Sequence, residues 1–162
     1  MHELSRPFAA LNISRDVVTE FLMAFSRFEY ALKRVGYAKQ AGRMLNVEWR
    51  KFGKEHAARA AASVDAIRRD AKYLVDRPPR RQILDGETVR FDKQEPSPAA
   101  PGLEWLLEMA YRVRNNLFHG GKWVPIDEPA RNEKLLLAAL DVLRWALRLH
   151  PRAERHYFAA LD

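Results

Sequence analysis

The chain contains no cysteine, so it offers neither disulfide bridges nor thiolate ligands for a metal ion. No apolar run reaches the roughly 18 residues that a membrane-spanning helix needs. The first eight residues carry charges and a proline where a secretory signal peptide has an unbroken apolar core. These absences predict a cytoplasmic protein.

The sequence signatures of two common kinds of site are also missing. No histidine stands at His-x3-His or Glu-x2-His spacing with further carboxylates, so neither a metal site nor a cofactor is predicted. The Gly-x4-Gly-Lys-Ser/Thr loop that cradles nucleotide phosphates does not occur. Four histidines are scattered along the chain and are interpreted as surface or capping residues: His2, His56, His150 and His156.

Positive charge is what the chain has in excess. Its 28 Lys and Arg residues outnumber 21 Asp and Glu residues, which gives a formal net charge of +7. Such an excess attracts phosphate backbones without reading their sequence, so RNA is a candidate partner. The alternative is a basic surface that serves solubility alone. With 48% hydrophobic residues over 162 positions, the chain fits one globular domain with a sizeable core.

Apolar residues recur at helical spacing over most of the chain. Ser14 is a suitable N-cap for the first helix, Gly36 a suitable stop, and Pro78-Pro79 ends the second helix. The predicted helices span about 14–36, 46–75, 103–120, 129–149 and 152–161. The predicted fold is all-α: a four-helix up-and-down-like bundle with a short fifth C-terminal helix.

A long connection, about 78–101, joins the second and third predicted helices. Asp85-Gly86 is typical of a tight turn, so residues 82–91 are compatible with a small hairpin. Glu95-Pro-Ser-Pro98 then predicts an extended, stiff linker. The connection either carries function or simply crosses the end of the bundle.

The last turns of the third predicted helix carry the residues best suited to phosphate chemistry. Arg114, Asn115 and His119 stand where this apolar helix runs out into Gly120-Gly121. Arginine stabilises phosphate charge through a planar fork of donors, and histidine moves protons near neutral pH. At helical spacing, Asn115 lies one turn before His119, with Tyr111 one turn earlier. The pattern suggests a small, metal-free nuclease site.

Two charged residues fall within apolar helix stripes. Glu29 lies in the stripe of the first predicted helix, and Arg114 lies at the edge of the stripe of the third. Because an isolated charge is costly to bury, we expect the two side chains to pair. The carboxylate would fix the guanidinium and leave part of its donor fork for a phosphate. The alternatives are an ion pair without chemistry, or an arginine whose charged end reaches the bundle rim.

The segment Arg114-Asn-Asn-Leu-Phe-His119 resembles the Arg-x4-His motif of the HEPN superfamily, including the polar residue directly after the arginine. The longer strings at 112–122 and 25–34 resemble the bacterial HEPN branch of ribonucleases and toxins. The resemblance implies one HEPN-like helical domain over residues 1–162. It also implies a metal-independent endoribonuclease of toxin or phage-defence type that acts as a homodimer.

The resemblance also assigns roles to residues of the motif. His119 would act as general acid or base, Arg114 would stabilise the scissile phosphate, and Asn115 would orient either group. Two residues would support the site: Glu29 and Tyr111. Residues flanking the motif would contact RNA: Lys122, Asn116 and Arg112.

One departure from the family pattern bears on regulation. A toxin branch carries Arg-x4-His-x-Tyr, and a partner antitoxin nucleotidylates that tyrosine. Gly121 occupies the position here, so an antitoxin partner stays open but not through that chemistry. The alternative function is a non-catalytic HEPN-like module for dimerisation and for binding RNA or protein.

Overall fold

The computed structural model describes residues 13–92, 98–118 and 130–159. These residues are predominantly helical and include two small antiparallel hairpins. The helices are α1 (Arg15–Arg34), α2 (Trp49–Glu55), α3 (Ala57–Ala61), α4 (Val64–Asp70), α5 (Lys72–Asp76), α6 (Leu103–Phe118), α7 (Arg131–Arg148) and α8 (Pro151–Phe158). Strand β1 (Ala38–Ala41) pairs with β2 (Met44–Val47), and β3 (Gln82–Asp85) pairs with β4 (Thr88–Phe91). No helix in these ranges is long and apolar enough to cross a membrane.

The helix prediction is confirmed for four of the five segments. The first, third, fourth and fifth predicted helices correspond to α1, α6, α7 and α8. The end predicted for the third helix at Gly120 and most of the linker predicted at 95–98 lie outside the described residues. The finding is a mainly helical fold, and the two hairpins mean that it is not purely α-helical.

The prediction of one continuous helix over 46–75 is wrong. Residues 46 and 47 belong to β2, and the rest forms four short helices, α2 to α5. Each of these helices places one fully or almost fully buried anchor in the core: Phe52, Ala60, Ile67 and Leu74. Together with His56 and Ala71, which are also buried, these anchors keep helical spacing along the segment. Neither the apolar pattern nor the high helix propensity of the alanines therefore reveals where the chain breaks.

The same turn closes both hairpins. Ala41 pairs with Met44 and Asp85 pairs with Thr88, so each hairpin has a two-residue turn. The first turn residue is Gly42 or Gly86, each with φ 61°, a left-handed value that glycine adopts without steric cost. The hairpin predicted around Asp85-Gly86 is thus confirmed. The β1–β2 hairpin was not predicted, because its strands are mostly exposed and show no alternation of apolar and polar residues.

Helix α7 lies at the centre of the core. It packs against α6 and α1 and also touches α4, α5 and α8. Apolar side chains on most of its surface are buried: Leu135, Leu136, Ala138, Ala139, Leu140, Val142, Leu143, Ala146 and Leu147. A helix that is apolar around most of its circumference must be covered on several sides, which explains why its neighbours surround it.

Helix α2 packs directly on α6 through a glycine. A β-carbon at position 53 would lie 2.6 Å from the Cα of Glu104, so only a residue without one fits this crossing. The close approach brings Trp49 of α2 within ring contact of Phe25 and Phe28 on α1 and of Tyr111 on α6. An aromatic layer therefore joins three helices.

Gly53→Ala is expected to lower the free energy of unfolding by about 1–3 kcal/mol, because the added methyl meets backbone atoms that cannot move aside cheaply. Gly102→Ala is the matched control, since a β-carbon there meets no atom within 4 Å. Its cost should stay below about 1 kcal/mol. Chemical denaturation of both variants measures the difference, and equal losses would contradict the close approach.

Histidine and arginine side chains fix α8. His150 occupies the N-cap, where its Nδ1 accepts a hydrogen bond from the backbone N–H of Ala153 at 3.1 Å. Arg27 of α1 donates to the carbonyl oxygens of His156, Tyr157 and Ala159 at the other end of α8. The capping role expected for His150 is confirmed.

His56 differs from the expectation for the scattered histidines, because it is buried. Its Nδ1 lies 3.0 Å from the carbonyl oxygen of Phe52, and its ring stacks on the Phe52 ring. Its ring centroid lies 5.4 Å from that of His150, so the two imidazoles are neighbours in the core beneath α8.

The α8 cap predicts a pH dependence of stability. Burial lowers the pKa of His150, and the charges of His56, Arg152 and Arg59 lower it further. Because the folded-state pKa of His150 lies below the unfolded value of about 6.5, the cap contributes its full stabilisation above about pH 6.5. This contribution is lost as the pH falls through the folded-state pKa, because protonated Nδ1 cannot accept a hydrogen bond.

His150→Asn keeps an N-cap acceptor that does not titrate. Its free energy of unfolding should therefore fall less between about pH 7 and about pH 5 than that of the unmodified chain. Chemical denaturation across this range makes the comparison. Parallel pH profiles for the two proteins would show that the cap does not titrate.

Candidate functional site

Three side chains hold the chain between α5 and β3 by its carbonyl groups. Asn116 of α6 donates to the carbonyl oxygen of Arg80 at 2.9 Å, and Arg112 of the same helix donates to that of Pro79 at 3.3 Å. Arg131, at the start of α7, donates to that of Pro78 at 3.2 Å. We call residues 77–81 the proline segment. It therefore lies at the end of the molecule where α6 ends and α7 begins.

Arg114 and Asn115 occupy the last turn and a half of α6, as the helix prediction requires. Nη1 of Arg114 donates to Oδ1 of Asn115 at 3.1 Å. The guanidinium carbon lies 4.4 Å from the centroid of the Phe118 ring, a cation–π contact at the i,i+4 spacing of a helix. Both partners of Arg114 are neutral, so they orient the guanidinium without cancelling its charge.

The predicted ion pair between Glu29 and Arg114 is absent from the described residues, where Glu29 is half-buried and makes no salt bridge. The reason lies in the packing: α7 packs against both α1 and α6, which approach each other chiefly through aromatic side chains. The Phe25 and Tyr111 rings lie 6.4 Å apart between them. Arg114 instead turns along its own helix, as the alternative of an arginine at the bundle rim anticipated.

Two aromatic residues flank Arg114 on α6. Tyr111, predicted to support the site, packs its ring against Phe25 and Trp49 and stays 36% exposed. Phe118 is 56% exposed and lies under the Arg114 guanidinium. The sequence reasoning missed Phe118, although its spacing of four residues from Arg114 is a signal for such a pair.

The structure gives Arg112 and Asn116 a different role from the RNA contact predicted for them. The Asn116 side chain is buried, with the residue only 4% exposed, and its amide is committed to the Arg80 carbonyl. Arg112 is also committed, to the Pro79 carbonyl and to the Glu108 carboxylate at 3.2 Å. Both residues face away from Arg114, since positions two apart on a helix are separated by about 200°. They position the proline segment.

In the sequence, Pro78-Pro79 was interpreted only as the end of a helix, and Arg131 was not singled out. Pro78 and Pro79 are buried outside any helix or strand, so their carbonyl oxygens need donors from elsewhere. The double proline therefore signals that such donors exist. It does not reveal which side chains supply them, because Arg112, Asn116 and Arg131 are distant in sequence.

His119 and Lys122, the remaining predicted site residues, lie outside the described residues, as does Gly121. The structure therefore brings Arg114 and Asn115 together, and the position of the imidazole stays a prediction. Among the described residues, no group of three or more His, Asp or Glu side chains could hold a metal ion.

Comparison with known proteins returns no match among protein-family models, curated proteins or solved structures. The geometry of the α6 end therefore carries the functional interpretation. That geometry consists of a guanidinium held by neutral groups on one face of α6, and a proline segment held by buried donors on the other.

The two adjacent asparagines should respond differently to mutation. Asn116→Ala leaves the buried carbonyl of Arg80 without its side-chain donor, and we expect a loss of about 1–3 kcal/mol in the free energy of unfolding. Asn115→Ala removes only the contact with Arg114, and we expect a change within about 0.5 kcal/mol. Chemical denaturation tests both, and a larger loss for Asn115→Ala would reverse the assignment.

Proposed function

We propose that the chain is a metal-independent endoribonuclease in which Arg114 binds the scissile phosphate and His119 transfers protons. The observation that carries the proposal is the environment of Arg114. Its guanidinium is held by the Asn115 amide and the Phe118 ring, and it contacts no carboxylate in the described ranges. One donor bond orients it, and its other N–H groups have no partner among the described residues, which leaves them for phosphate oxygens.

RNA suits these groups because it carries its own nucleophile. A base removes the proton from the 2′-hydroxyl, and the 2′-oxygen attacks the neighbouring phosphorus. The bond from phosphorus to the 5′-oxygen then breaks, and an acid protonates the leaving oxygen. The products are a 2′,3′-cyclic phosphate and a 5′-hydroxyl. Arg114 would stabilise the extra negative charge on the phosphate oxygens in the transition state, where fixed positive groups have their largest effect.

A second copy of the chain is part of the proposal. The reaction needs a base at the 2′-oxygen and an acid at the 5′-oxygen, and one Arg114–His119 pair supplies a single imidazole. A homodimer would bring a second imidazole to the same phosphate. The exposed Phe118 ring offers apolar surface for such a contact beside Arg114.

The proposal extends to fold family and setting. Helices α1, α6 and α7, with residues 49–76 in place of one long helix, are compatible with a HEPN-like four-helix bundle. A ribonuclease of this kind would be a cytoplasmic toxin or phage-defence effector, held in check by an antitoxin protein. Because position 121 is glycine, that control would not involve tyrosine nucleotidylation there.

A non-catalytic binding module is the second candidate. The observation that favours it is the exposure of Tyr111 and Phe118 on one helix face beside an unneutralised arginine. Aromatic residues and arginine are enriched where proteins bind partners. In this reading Arg114 would hold RNA or protein without catalysis.

Purified protein incubated with single-stranded RNA and EDTA tests the proposal. The unmodified chain should cleave and leave 2′,3′-cyclic phosphate ends, identified by mass spectrometry, whereas RNA with 2′-O-methyl groups should stay intact. His119→Ala and Arg114→Ala should each lower the cleavage rate at least about 100-fold, the usual size of acid–base and electrostatic contributions.

His156→Ala and Arg155→Ala on α8 are matched controls, because they remove the same side-chain types at the far end of α7. Both controls should retain full activity. Equal cleavage by all variants would reject the assignment of Arg114 and His119. Binding of RNA without cleavage by any of them would favour the binding module.

A further inference from the structure

The proline segment is unusually well fixed for a connection. Its two prolines have restricted φ angles, and three consecutive carbonyl groups accept hydrogen bonds from Arg131, Arg112 and Asn116. These donors come from two helices of the core. The backbone of residues 78–80 is therefore held in one conformation, and side chains flanking it project from a rigid base.

The flanking side chains are arginines whose charge is not neutralised. Arg77 and Arg81 are exposed, and neither forms a salt bridge within the described ranges. Burial lowers the pKa of Arg112, and the positive charge of Arg81 lowers it further. Positive potential thus accumulates along this segment.

Three nearby carboxylates are engaged by other cations. Asp76 pairs with Lys72, and Asp85 pairs with Arg90 at 2.9 Å. Glu108 pairs with both Arg112 and Arg50. Arg77 and Arg81 form no salt bridge with any of these three carboxylates, and the rigid backbone of the proline segment lies between the two arginines.

We propose that Arg77 and Arg81 form a second contact surface for the phosphate backbone of single-stranded RNA, away from the reacting phosphate. The choice of RNA as the polyanion rests on the proposed function. Asn116, which holds the Arg80 carbonyl, follows Arg114 by two residues on α6. A strand bound to both Arg114 and the proline segment would cross the end of α6.

An extended peptide fits this surface less well than RNA does. Pro78 and Pro79 have no N–H groups to donate, and their carbonyl oxygens already accept from Arg131 and Arg112. A peptide strand that binds by backbone pairing would find no donor at these two residues, and their carbonyl groups are already engaged. Recognition must therefore use the two guanidinium groups, which pair well with phosphate oxygens.

The test measures binding of fluorescein-labelled oligouridylate by fluorescence anisotropy at several salt concentrations. All proteins carry His119→Ala so that bound RNA stays intact. Adding Arg77→Gln with Arg81→Gln should weaken binding on the order of tenfold at low salt. It should also reduce the slope of log affinity against log salt by about 1.4, since each phosphate contact on a single strand contributes about 0.7.

Arg152→Gln with Arg155→Gln is the matched control. It removes the same charge from two exposed arginines of α8, beyond the opposite end of α7, which is roughly 27 Å long at 1.5 Å per residue. The control should change affinity less than about threefold and leave most of the salt slope in place. Equal loss of RNA affinity in the two double variants, or no loss in either, would contradict the proposed contact surface.

The remaining outcomes separate the surface from the nuclease. If the unmodified chain does not cleave RNA but the Arg77/Arg81 variant binds oligouridylate more weakly than the control variant does, the contact surface is supported and the proposed activity is rejected. If no protein in the set binds oligouridylate, the surface is rejected. Binding of labelled polyglutamate is measured in parallel. If Arg77 and Arg81 contribute to the binding of polyglutamate but not of oligouridylate, the surface binds an acidic protein and the RNA proposal is rejected.

Discussion

The structure depends on the burial of α7 on most of its sides. A helix with nine apolar side chains in the core is stable only when other elements cover it, because apolar surface left in water costs about 25 cal/mol per Å². Helices α1 and α6 cover two sides, and α4, α5 and α8 reach the rest. Of the short helices between residues 49 and 76, α4 and α5 are part of this cover, whereas α2 and α3 pack on α6.

This arrangement determines where charge can be displayed. Because α6 and α7 are antiparallel neighbours, the end of one and the start of the other lie side by side, and their polar side chains together hold the proline segment. Arg112 and Arg131 hold backbone carbonyl groups there, while the exposed Arg77 and Arg81 form no salt bridge among the described residues. The arginines at this end of the molecule therefore fall into two groups, those that hold the backbone and those that face solvent, and burial distinguishes them.

Local signals in the sequence were enough to predict much of the fold. Ser14, Gly36 and the apolar stripes located α1 and α6, and Asp85-Gly86 located the second hairpin. The breaks between α2 and α5 could not be predicted, because alanine favours a helix and the buried residues of this segment keep helical spacing. The β1–β2 hairpin has exposed strands and hence no apolar pattern to reveal it.

The site shows the same division between local and distant information. The adjacency of Arg114 and Asn115 and their place in the last turns of α6 follow from helical spacing, and the structure agrees. The proposed pairing of Glu29 with Arg114 required two helices to meet, and helical periodicity cannot determine which helices are neighbours. The roles of Arg112 and Asn116 were also hidden, because their partners are carbonyl groups more than 30 positions away.

The contacts of Arg27 have a consequence for how the molecule opens. One side chain of α1 satisfies three carbonyl groups at the close of α8, so the earliest and latest helices of the described chain share an anchoring point. Fraying of α8 would leave the Arg27 guanidinium without these acceptors, and loosening of α1 would remove the donor from the last carbonyl groups of α8. Amides in the two segments should therefore exchange with solvent through one cooperative event rather than two independent ones.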